Sequence, residues 1–237
     1  MDILADIRSE LRNNREEENV LSQQRFFKEK IRCYGVRTPV VRKIAKQFFR
    51  RVQHLEKKEI LSWSEALFQS GYNEEAIIAV QWAQEYVEQC TENDFILFEK
   101  WLTHFVDNWA KDDDFCLHLI SPLIRKYPRL VHRVKQWTSS ENKWLRRASA
   151  VSFIISIQGF YVTTHDIHDI FDVAEMLLLD PEDLVQKGYG WMLKATSLHR
   201  QNEVFEFVLK HKENMPRTAL RYAIEKMPND LRKKALS

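Results

Sequence analysis

Apolar residues recur at three- and four-residue steps along nearly the whole chain. The pattern predicts helices over about 2–13, 15–33, 38–53, 56–70, 73–89, 93–105, 108–126, 128–137, 141–157, 165–179, 182–196, 201–211 and 216–227. Prolines punctuate them: Pro39, Pro128, Pro181, Pro216 and Pro228 fall at predicted boundaries, where a first turn has no use for the N–H or a helix has just ended. No tract of Gly, Ser or Pro divides the chain, so we read residues 1–237 as a single domain.

One stretch breaks the amphipathic logic. In DNWAKDDDFC (107–116) the positions Val106, Ala110, Leu117 and Ile120 share a helical face, and Asp113 falls on that same stripe. Trp109 lies one turn before it, so an indole and a carboxylate are expected to project side by side.

A faint internal period accompanies this pair. WAKDD (109–113), RASAV (147–151) and KGYGW (187–191) each carry a small residue second, at spacings of 38 and 40. EAIIA (75–79) precedes them by 34, and TALRY (218–222) follows more loosely. Such spacings belong to two-helix repeats, so the expected fold is all-α: a solenoid of stacked helical pairs with a concave face. An irregular helical bundle is the alternative. In the repeat register Asp113, Val151 and Trp191 become equivalent, as do Trp109, Arg147 and Lys187. One face would then present two indoles, two cations and a carboxylate. A packed core does not select that mixture, because an ionised carboxylate without partners costs several kcal/mol to bury. A ligand-binding surface does.

Composition narrows the fold further. With 44% hydrophobic residues the chain can bury a sizeable core, while five glycines and six prolines are too few for the turns of a many-stranded β protein. Charge is uninformative in sum, 36 basic against 34 acidic residues, so affinity for a polyanion has to come from placement. Basic residues recur at helical spacing: Arg37, Arg42, Lys43, Lys46 and Arg50, then Arg146, Lys194, Arg217 and Arg221. Any one such run reads most simply as a solvated helix face. Their recurrence in successive repeats suits the phosphates of a duplex.

Other chemistries find little support. Cys33, Cys90 and Cys116 are scattered, which fits a reduced cytoplasmic setting and offers no metal cage. His165 and His168 in HDIHD lack companion ligands and read as the opening of a helix; we expect no metal and no cofactor. The start MDILADIRSE is acidic where a secretory signal is basic, and no stretch approaches the roughly 20 apolar residues of a spanning helix, so we expect no membrane association. We find no Gly-rich phosphate loop and no Ser-His-Asp arrangement. Asp112 and Asp114 read as acids favoured by a helix amino terminus.

The tracts YGVRTPVVRKIAK (34–46), DNWAKDDDFC (107–116), KYP (126–128), NKWLRRASAV (142–151), QKGYGWML (186–193) and MPRTALRYAIEK (215–226), taken together and in order, resemble the AlkD-type DNA alkylation-repair glycosylases. The resemblance implies HEAT-like repeats and removal of cationic alkylpurines, such as 3-methyladenine and 7-methylguanine, from double-stranded DNA. It implies a lesion left stacked in the duplex rather than flipped, no cofactor and a monomer. By similarity Asp113 takes the catalytic acid's place, Trp109 and Trp191 those of the aromatic pair flanking the sugar, and Arg147 that of a DNA-contacting arginine. Arg146, Lys187, Lys194, Arg37, Arg42, Lys43, Arg217 and Arg221 are the further DNA-binding candidates. Phe26 and Lys194 stand where some relatives carry Tyr and Arg. The competing expectations are a non-catalytic helical scaffold for DNA or protein and, less favoured, an RNA-binding repeat protein.

Overall fold

The sparse glycine content has the consequence expected of it: regular structure is almost all helical in the computed structural model, which describes residues 2–237. The chain divides into two compact units, Met1–Leu119 and Ile120–Ser237.

The first unit contains α1 (Ile3–Asn13), α2 (Glu17–Phe26), α3 (Thr38–Val52), α4 (Lys57–Gln69), α5 (Asn73–Gln84), α6 (Glu92–Phe105) and α7 (Trp109–Phe115). Helices α1, α3, α5 and α7 pack in a row, and α4 joins α5 to α6. Ile7, Leu11, Val41, Ala45, Ile78, Trp82, Phe95 and Trp101 fill the core between them. A π-helical turn, Cys116–Ile120, follows α7.

The second unit contains α8 (Ser121–Lys126), α9 (Leu130–Gln136), α10 (Lys143–Val151), a hairpin of β1 (Ile155–Ser156) and β2 (Gly159–Phe160), α11 (Ile167–Met176), α12 (Asp183–Ser197), α13 (Gln201–His211), α14 (Arg217–Ala223) and α15 (Asn229–Leu236). Helix α12 lies between α10 and α14, with α11 and α13 also packed on it. Asp166 caps α11 by accepting from the His168 amide at 2.9 Å, so HDIHD does open a helix.

The repeat period returns as a spacing between side-chain partners. Trp82 donates its Nε1–H to the Ala45 carbonyl 37 residues back, Asn108 pairs with Asn73 across 35, Arg146 with Asp180 across 34, and Thr218 with Asp183 across 35. Small residues of the later repeat tracts sit at close helix crossings, while Ala110 of the WAKDD tract is half-buried. A Cβ on Gly190 would stand 2.7 Å from Tyr222 Cβ and 3.0 Å from the Ala219 carbonyl oxygen, and one on Gly188 would stand 3.3 Å from Arg147 Cγ. Ala76, Ala148 and Ala219 are likewise buried.

Several predicted helices are too long or interrupted: 73–89 ends at Gln84, 165–179 covers only Ile167–Met176, 108–126 is broken by the π turn, and three more show the cause or the outcome. The span 15–33 is helical only over Glu17–Phe26, because the following segment makes better use of its polar groups elsewhere. The buried Glu74 carboxylate accepts from the amides of Tyr34, Gly35 and Val36 at 3.0, 2.8 and 3.1 Å, and Gly35 takes φ +89°, a left-handed value open to glycine. The span 141–157 stops at Val151, and the chain turns into the hairpin, where Arg125 donates to the Gly159 carbonyl at 3.1 Å. The span 216–227 ends at Ala223, and Asn229–Leu236 forms a last helix after Pro228 that the periodicity did not predict.

Candidate nucleic-acid interface

Helix α7 begins on a buried cap. Asn108 is fully enclosed; its Oδ1 accepts from the amides of Ala110 and Lys111, both at 3.1 Å. Its Nδ2 donates to Asn73 Oδ1 at 2.9 Å and to Asp107 Oδ1 at 2.8 Å. Lys111 is buried too, its Nζ donating to the Gly71 carbonyl at 3.0 Å and paired with Asp107 at 2.9 Å. These bonds fix the roll of the helix. The enclosed face runs through Asn108, Lys111, Asp112, Phe115, Cys116 and Leu119.

That face corrects the stripe predicted for Asp113. Ala110, Asp113 and Leu117 lie on the half-open side, one position round from the enclosed side, and Trp109 shares it. The first turn of α7 buries polar residues, so counting greasy positions selected the wrong stripe. The indole and the carboxylate, a turn apart, are therefore both half-buried rather than enclosed. Asp112, expected to be only a helix-terminus acid, is instead 0% exposed.

Asp114 also does more than complement a helix dipole. It pairs with Arg42 at 3.0 Å and with His118, on the π turn, at 3.2 Å. Burial raises the Asp114 carboxyl, but His118 and Arg42 outweigh it and hold the group below its ordinary value. Asp114 in turn raises the His118 imidazole, against the opposing effect of burial. Trp109 is walled by two aromatics, Phe27 stacked at 5.5 Å and Phe26 edge-on at 5.4 Å.

In the second unit, Lys187 and Trp191 lie a turn apart on α12, both half-exposed. Lys187 is paired with Asp183 at 2.7 Å. Their repeat equivalents in α10 are not open: Val151 is buried, and Arg147 is 5% exposed with its guanidinium donating to the Leu184 carbonyl. The row defined by the repeat is therefore not uniformly a surface. Core packing does claim Trp82, Trp101, Trp137 and Trp144.

The remaining cations separate into two sets. Arg146 is held by Asp180 at 2.6 Å, Lys194 by Glu225 at 3.1 Å, Arg37 by Glu16 at 2.8 Å and Arg42 by Asp114. Lys43, Arg217 and Arg221 are exposed and make no ion pair among the described residues. Sequence reasoning did not anticipate the Arg42–Asp114–His118 cluster, whose only signal is the four-residue step from Asp114 to His118.

Residues 7–227 match the profile of a family described as DNA alkylation repair enzyme. The chain belongs to that family. The DNA alkylation repair family assigns it a role in the repair of alkylated DNA, with DNA as its substrate. Its fold is similar to a solved structure titled "Predicted DNA alkylation repair enzyme from Enterococcus faecalis", with a TM-score of 0.80 and 15% identity over 91% of this chain and 98% of that one. No curated protein sequence matches the chain. Among the described residues of this family member, no helix is long and apolar enough to cross a membrane.

Proposed function

We propose that the protein is a monofunctional DNA glycosylase, acting as a monomer of HEAT-like repeats in the cytoplasm. It hydrolyses the N-glycosidic bond of cationic alkylated purines, 3-methyladenine and 7-methylguanine, in duplex DNA and leaves an abasic site for base excision repair. The observation that carries this reading is the half-open Trp109–Asp113 turn of α7, whose start is fixed by a buried polar cap.

Alkylation at N3 or N7 makes the purine a cation and hence a good leaving group. The enzyme need not protonate it. What remains is positive character on the sugar as the bond breaks, and Asp113 is the group to meet it. At 4 Å and an effective dielectric of about 20, opposite unit charges attract by roughly 4 kcal/mol, less where solvent reaches the pair. The same carboxylate can orient the attacking water. Trp109 presents the negative face of its ring to the developing charge, and Trp191 is assigned to the substrate by the same reading. No step calls for a cofactor. Lys43, Arg217 and Arg221 are the cations most available to phosphates, since the other candidates are held by a carboxylate or, for Arg147, buried against a backbone carbonyl.

The test is incubation with methylated duplex DNA and chromatography of the released bases. Wild type is expected to release 7-methylguanine and 3-methyladenine, while Asp113→Asn loses most excision and keeps its affinity for DNA. Wild-type release by that variant would remove Asp113 from the reaction, and no release by the wild type would favour a non-catalytic scaffold.

A further inference from the structure

A cavity of about 430 Å³ lies wholly within the first unit, among α2, the segment 27–37, α3, α5 and α7. Its aromatic wall is formed by Phe26, Phe27 and Trp109, the last two stacked at 28° between ring planes. Phe26, 68% exposed, carries this aromatic wall out to the solvent.

Two lining polar atoms are buried without a hydrogen bond among the described residues. One is the Asn19 side-chain nitrogen and the other is Asp114 Oδ2, whose sister oxygen already serves Arg42 and His118. Buried polar groups are nearly always satisfied, so each marks a place for a ligand or water. Together they offer one donor and one acceptor beside stacked rings. An apolar ligand leaves both unanswered; the cations on the wall, Arg37, Arg42 and Lys111, are already paired with Glu16, Asp114 and Asp107, so a phosphate would have to displace a carboxylate from one of them.

We propose that this cavity binds a purine nucleobase, its ring against the Phe27–Trp109 stack, a carbonyl or ring nitrogen accepting from Asn19 and an N–H donating to Asp114 Oδ2. Such a base has two sources: one set free by excision, or one still joined to a strand and swung out of it. Binding itself needs only the cavity. Its use as a holding site for product rests on the glycosylase reading above.

Isothermal titration of the full chain with free 7-methylguanine and guanine tests the site, and duplex DNA carrying 2-aminopurine, whose fluorescence rises on unstacking, separates the sources. One purine per chain is expected, bound at least tenfold more weakly by Phe26→Ala and by Asn19→Leu while circular dichroism stays unchanged. A fluorescence rise that Phe26→Ala abolishes assigns the cavity to an attached base; titratable free purine with no rise assigns it to a released one. No saturable purine in either arm overturns the proposal, as does equal binding by both variants. Because these readouts are made equally well with Asp113→Asn, failure of the site and failure of the glycosylase reading are told apart.

Discussion

Helices α7 and α12 occupy equivalent places in the repeat and present the same kind of pair, an indole and a charged side chain one turn apart, yet they are held in place by opposite means. Helix α7 is seven residues long and positioned by buried hydrogen bonds through Asn108 and Lys111. Helix α12 is fifteen residues long and positioned by close backbone approach at Gly190. A short helix has little apolar area to bury, so specific polar bonds set its orientation; a long one between two neighbours is set by shape. The charged members differ accordingly. Lys187 is tied to Asp183 within its own helix, whereas Asp113 stands on the half-buried side of α7 and its neighbour Asp114 pairs with Arg42 and His118.

The contrast breaks first where packing is tightest. Gly190→Val drives a side chain into the Ala219 backbone, and we expect a loss of about 2–3 kcal/mol, read as a fall in the thermal midpoint. Gly188→Ala crowds the Arg147 side chain at 3.3 Å, meets its carbonyl oxygen at an ordinary 3.7 Å and gains about 1 kcal/mol of helix propensity, so the same measurement should show little change. An unchanged midpoint for Gly190→Val would show that shape does not position α12.

Asn108→Ala probes the other mode. Loss of the cap costs about 1 kcal/mol, and stranding Asn73 raises the total toward about 2 kcal/mol. Excision measured well below the midpoint should fall as well, because Trp109 and Asp113 lose their register. Retained excision would detach the cap from function.

A smaller effect depends on pH. The folded imidazole of His118 titrates above its ordinary 6.5, so its pairing contributes fully below that value and is lost as pH rises through the raised one. The depressed Asp114 carboxyl contributes above 3.8 and is lost as pH falls through its lowered value. His118→Gln should therefore lower the midpoint by about 2 °C near pH 6 and by less at pH 9. A deficit that grows with pH would contradict the pairing.

The smallest effect on stability is expected at Lys43. Lys43→Ala should leave the midpoint unchanged and flatten the salt dependence of DNA binding by about one unit of slope if it meets a phosphate. Arg147→Ala, by contrast, should lower the midpoint, since that guanidinium is bonded within the second unit.

Helix existence was legible because apolar spacing is a local property, and most predicted spans match observed helices. Boundaries failed where a distant residue supplied the missing bond, as Glu74 does for residues 34–36. Trp109 and Asp113 do lie one turn apart in a single helix, but their face was misjudged because Lys111 and Asp112 carry charge and are nonetheless buried.

By itself the sequence determined the helical composition, the repeat period and which residues could share a turn, all consequences of backbone geometry and of spacing along one chain. The tertiary structure decided which side of each turn is enclosed, which cations are committed to a carboxylate, and that three aromatics, an amide and an acid border one cavity. Burial and pairing depend on what a distant segment brings to a side chain, and no local count of apolar residues contains that information.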